Sequence, residues 1–163
     1  MTNKPREFIA PSKMLRAKVG VDPAALHKQA VERANQALDG LKSDFTEWID
    51  QDLEKLKSAH ETVKKNPHNA QYIENLRTCV HDLRGLGTTY GFPMVSRLAS
   101  SLCKLFEGVA EGQGTLPMAL IESHINAIIA AVSEDITSKD DASSVAVAES
   151  LEEMVGQHIA GNS

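Results

Sequence analysis

A chain of 163 residues is long enough to bury a core and is expected to form one main domain. Its composition, 42% hydrophobic but only 4% aromatic, favours helices, because strands prefer aromatic and β-branched residues. A net charge of -5 argues against general nucleic-acid binding, two cysteines are too few for a disulfide framework, and no segment approaches the ~20 apolar residues of a membrane span.

Residues 1–21 carry Lys4, Arg6, Lys13, Arg16 and Lys18 against Glu7, with Pro5 and Pro11 interrupting any regular pattern. They are expected to form a flexible basic N-terminal arm. Residues 1–20 lack the continuous apolar core of a signal peptide, so a cytoplasmic protein is expected. Asp22-Pro23 reads as a helix start, with Asp at the N-cap and Pro at the first helical position. The apolar series Leu26, Ala30, Ala34, Leu38, Leu41, Phe45, Trp48, Leu56, Ala59 and Val63 then runs to Asn66-Pro67. Gly40 and a capping-box pattern at Asp44 to Glu47 allow two helices, near 23–40 and 44–65. One long helix extending past a bundle fits the same series.

The next helix is expected after Pro67, running to about Tyr90, with Ile73, Leu76, Val80, Leu83, Gly87 and Tyr90 on its buried seam. Gly91 ends it and Pro93 opens its successor, whose seam is Met94, Leu98, Leu102, Leu105 and Val109. Residues 111–115 read as a turn. A fourth helix carries Ile121, Ile125, Ile128 and Val132 and is expected to end near Ser138 to Asp141, with His124 at its boundary. A last amphipathic segment, Ala142 to about His158, aligns Val147, Leu151 and either Met154 or Val155. Trp48, Met94 and Met118 are expected in the core, and Cys79 and Cys103 as small buried or half-buried hydrophobes.

Short loops make sequential helices antiparallel. The expected fold is therefore all-α: an antiparallel up-down-up-down four-helix bundle over residues 22–138, with an N-terminal helical extension. An extra C-terminal helix and tail, residues 139–163, would pack on that bundle.

His81-Asp82-Leu83-Arg84-Gly85-Leu86-Gly87-Thr88-Thr89-Tyr90-Gly91 carries the clearest functional signal. Projected at ~100° per residue, His81 falls roughly 120° from the seam. One flank of this helix reads Arg77, His81, Arg84, Thr88, with Gly85 beside it. An imidazole is a competent nucleophile near neutral pH, and a guanidinium one turn away can meet the oxygens of a phosphoryl group. A helix-interior glycine costs about 1 kcal/mol relative to alanine. Gly87 lies on the seam, where close helix packing explains it; Gly85 does not, and there a missing side chain leaves room for a partner.

The pattern His81-x-x-Arg84-Gly85-x-Gly87-x-x-Tyr90-Gly91 resembles the motif of histidine-containing phosphotransfer (HPt) domains. The resemblance covers about residues 23–136. Leu86 stands where the family usually has a small residue, and Cys103 where many members place a glutamine; Lys104 or Ser100 is a candidate replacement for it. The resemblance implies a phosphorelay protein. His81 would take a phosphoryl group from a receiver-domain aspartyl phosphate and pass it to another receiver, with Arg84 stabilising the phosphate and Gly85 giving clearance. Arg77, Thr78, Thr88, Cys103 and Lys104 would then meet the partner.

Receiver domains of response regulators and hybrid histidine kinases are the implied partners, with Mg²⁺ supplied by the receiver and no cofactor bound by the chain itself. No ATP-dependent kinase activity is expected, because no phosphate-binding loop or kinase ATP domain is present. A metal site is not expected either, since the six histidines are scattered. A monomer without nucleic-acid or membrane partners is the expected state. The alternative is a helical docking module that binds signalling partners without phosphotransfer.

Overall fold

The computed structural model describes residues 23–112 and 115–161. The basic-arm and Asp22 N-cap expectations fall outside these residues. The described residues form helices and no strand: α1 (Pro23–Lys65), α2 (Ala70–Leu86), α3 (Pro93–Gly112), α4 (Met118–Ser133) and α5 (Ala142–Gly161). None of them is long and apolar enough to cross a membrane.

The first apolar series forms one helix rather than two. Gly40 lies inside α1, and the capping-box residues do not cap: the Thr46 hydroxyl donates to the Lys42 carbonyl at 3.0 Å, an interior i−4 bond. Contact density divides the chain into two units, 1–41 and 42–163. In the described part of the first unit every residue whose exposure is defined is exposed, so Leu26, Leu38 and Leu41 are not core residues.

The second unit holds the core. From α1 come Ile49, Leu53, Leu56 and Val63, and from α2 come Leu76, Val80 and Leu83. Helix α3 contributes all five expected seam residues and packs against α2, α4 and α5. Ile121, Ile125, Ile128 and Ala131 of α4 join them, followed by Ala148, Leu151 and Val155 of α5. The α5 stripe therefore runs through Ala148 and Val155, while Val147 and Met154 face solvent. Across the helices, Arg97 of α3 donates twice to the Glu152 carboxylate of α5, at 2.8 Å each. This two-bond geometry fixes one helix against the other more firmly than a single-point ion pair would.

Helix ends depart from expectation where tertiary contacts intervene. Asn69 caps α2 by accepting from the Gln71 and Tyr72 amides. The regular helix stops at Leu86 rather than Tyr90, because the Ser96 hydroxyl of α3 takes the Thr88 amide at 2.8 Å. The chain then winds through a turn to Gly91, whose φ of +92° lets it reverse into Pro93. Helix α3 continues through Glu111 and Gly112, which were expected in the turn; residues 113–114 lie outside the described set. Helix α4 ends at Ser133, short of the expected Ser138, where Asp135 adopts φ of 52° and the Ile136 amide bonds back to Ala131. Asp141 opens α5 by accepting from the Ser144 amide at 2.9 Å, and that bond holds its carboxyl below the usual range.

Trp48 is 44% exposed instead of buried, and its ring lies against Phe45 and Tyr90. Met94 is buried as expected and Met118 is half-buried. His124 is not a boundary residue but is fully buried. Its Nε2 lies 3.0 Å from the Ser101 hydroxyl and its Nδ1 2.8 Å from the Leu120 carbonyl, so both ring nitrogens are satisfied.

Candidate functional site

Leu76, Val80, Leu83 and Gly87 face the core, which turns the opposite flank of α2 toward solvent. On that flank the His81 side chain is 65% exposed. Its Nδ1 lies 3.7 Å from the Asp82 carboxylate, beyond hydrogen-bonding distance.

The two glycines beside it differ in kind. A Cβ on Gly87 would stand 2.7 Å from the Ser96 hydroxyl and 2.8 Å from the Ser96 backbone nitrogen. Gly87 is needed for α2 and α3 to approach each other. A Cβ on Gly85 would meet nothing within 4 Å. Nothing in the described structure requires glycine there, one turn from His81 on the exposed side of the helix.

His81 lines a shallow cleft of about 160 Å³ together with Glu74, Arg77 and Thr78 of α2 and Cys103, Phe106 and Glu107 of α3. Spacings of three and four residues gather the α2 set on one face. Arg77 pairs with Glu74 at 3.3 Å, and the Thr78 hydroxyl donates to the Glu74 carbonyl. Cys103 is buried within the opposite wall. Burial pushes its thiol up, opposed by the charge of Arg84, reinforced by that of Glu107 and opposed again by that of Arg77. Arg77 lines the cleft itself, and Arg84 stands three residues after His81 on the same helix. Arg84 is half-buried and enters none of the ion pairs among the described residues.

The structure thus brings Arg77, Thr78, His81 and Cys103 to one cleft, which Arg84 does not line. Thr88 lies one turn beyond, exposed, with its amide and hydroxyl both engaged by Ser96. Lys104 is exposed on α3 but does not line the cleft, and the Ser100 hydroxyl is committed to the Ser96 carbonyl at 2.7 Å. Phe106 and Glu107 were missed by sequence reasoning. Their positions three and four residues after Cys103 carried the signal, since helical spacing places all three on the same wall. Among the described residues no group of three or more His, Cys, Asp or Glu is arranged to hold a metal ion.

No protein-family model matches the chain, and neither a curated protein nor a solved structure matches it.

Proposed function

We propose that this protein is a phosphorelay carrier of the HPt type, with the helices of residues 42–138 forming an antiparallel four-helix bundle and α5 added to it. The observation that carries the reading is the pairing of an exposed His81 with a Gly85 that no packing contact requires. A receiver domain would approach over Gly85 and present its aspartyl phosphate to His81. Nε2 attacks phosphorus in line; the N–P bond forms as the acyl P–O bond breaks, and the electron pair leaves on the receiver carboxylate. Mg²⁺ belongs to the receiver. Arg84 supplies positive charge to the phosphoryl oxygens, and because one P–O bond is exchanged for one N–P bond without hydrolysis, the step runs in either direction.

Exposure suits this chemistry. A group that must be reached by two large partners in turn has to sit on a convex, accessible helix flank rather than in a deep pocket. Incubation with a phosphorylated receiver is expected to place an acid-labile phosphoryl group on the protein. Transfer that persists in His81→Gln would overturn the assignment. A receiver that binds tightly but yields no phosphohistidine would instead identify a docking module.

A further inference from the structure

The cleft beside His81 holds two carboxylates, Glu74 and Glu107, along with the guanidinium of Arg77. A phosphoryl group on His81 would enter that cleft as a dianion. With Arg84 alone to offset them, the two carboxylates and Asp82 beyond them would repel it. A second cation is needed, and Arg77 is placed to be that cation. It stands four residues before His81 and Arg84 three after, so the two arginines bracket the imidazole on one helix face. Arg77 itself lines the cleft, opposite Cys103 in the facing wall.

We propose that Arg77 is a second phosphate-binding residue, held by Glu74 until His81 is phosphorylated. The inference rests on the phosphotransfer reading of His81. The Glu74–Arg77 pair is suited to exchange. At 3.3 Å, with the side chains 59% and 40% exposed, it is a solvent-screened contact that a dianion with three acceptor oxygens can displace. Arg77 then leaves one carboxylate and binds the phosphoryl oxygens, while Glu74 turns to solvent. The unphosphorylated cleft keeps its charge paired, and the phosphorylated one gains a bidentate partner.

Phosphoramidate phosphorylates accessible histidines without a receiver, which separates this inference from the relay itself. In that reaction the imidazole nitrogen displaces ammonia from phosphorus. The ionisation of the resulting phosphoryl group is followed by phosphorus NMR in the full chain and in Arg77→Gln, Arg77→Lys and Glu74→Gln. The charged and titratable groups around it are Glu74, Arg77, Asp82 and Arg84 on α2 and Cys103 and Glu107 on α3. Loss of Arg77 is expected to raise the midpoint by about 0.5 to 1 pH unit. Lysine restores most of the shift, and Glu74→Gln lowers the midpoint below that of the unaltered protein. An unchanged midpoint in Arg77→Gln, with His81 phosphorylated and the helical spectrum intact, overturns the role of Arg77. The expected midpoint shifts combined with no transfer to or from any receiver overturn the relay reading and leave the Arg77 site standing. Failure of phosphoramidate to modify His81 removes both.

Discussion

His81 and His124 are the same residue type used in opposite ways. His124 lies at 0% exposure with both ring nitrogens bonded inside the fold, to Ser101 and to Leu120. His81 shows 65% of its side chain to solvent, with a carboxylate near one nitrogen and the other open. The buried ring joins α3 to α4 and gives up its reactivity, because any added group would have to displace core side chains. The exposed ring contributes little to packing and keeps its reactivity. Gly85 and Gly87 repeat the contrast two residues apart, one open and one pressed against Ser96. On the proposed reading, function occupies the member of each pair that the fold could do without.

The contrast breaks most visibly if His81 is replaced. His81→Gln is expected to reduce phosphoryl acceptance to background while shifting the melting temperature by less than about 2 °C. His124→Ala should do the reverse. It leaves a cavity and an unpartnered Ser101 hydroxyl, costing about 2–4 kcal/mol in denaturant unfolding while His81 is still labelled.

The glycines sharpen the comparison, because the same substitution should change sign over two positions. Gly87→Ala drives a methyl group into Ser96 and is expected to destabilise by about 1–3 kcal/mol. Gly85→Ala relieves a helix-interior glycine and should stabilise by up to about 1 kcal/mol, yet slow transfer from a receiver. A Gly85→Ala variant that transfers at the normal rate would remove the clearance argument.

The smallest expected effect is on acid stability. Burial lowers the pKa of His124, and burial likewise lowers that of His60, whose Nε2 has no hydrogen-bond partner. Each ring binds its proton more readily in the unfolded chain than in the folded one. Their contribution is therefore fully present above the unfolded pKa of about 6.5 and is lost as pH falls through the folded values. Chemical denaturation across that window should show falling stability toward acid, with a shallower slope in variants lacking either ring.

Much of this was legible in the sequence where a single helix decides the matter. The seams of α2 and α3 follow from apolar spacing, and the different surroundings of Gly85 and Gly87 follow from their angles to that seam. What escaped depends on distant partners. His124 looked like a boundary residue because its bond to Ser101 crosses 23 positions of sequence. The end of α2 was placed too late because the hydroxyl that draws off the Thr88 amide belongs to the next helix. Trp48 has core-like spacing on α1, but its neighbours there are the rings of Phe45 and Tyr90 at the surface. The acidic lining of the cleft, Glu74 and Glu107, emerges only when α2 and α3 are brought face to face.

The most direct measurement is a nitrogen–proton correlation spectrum of the histidine rings, recorded before and after exposure to a phosphorylated receiver. The account predicts that one imidazole changes, that it belongs to His81 and is modified at Nε2, and that the His124 ring keeps its signals. Phosphorylation at any other histidine, or a receiver that binds while every ring stays unmodified, would contradict it.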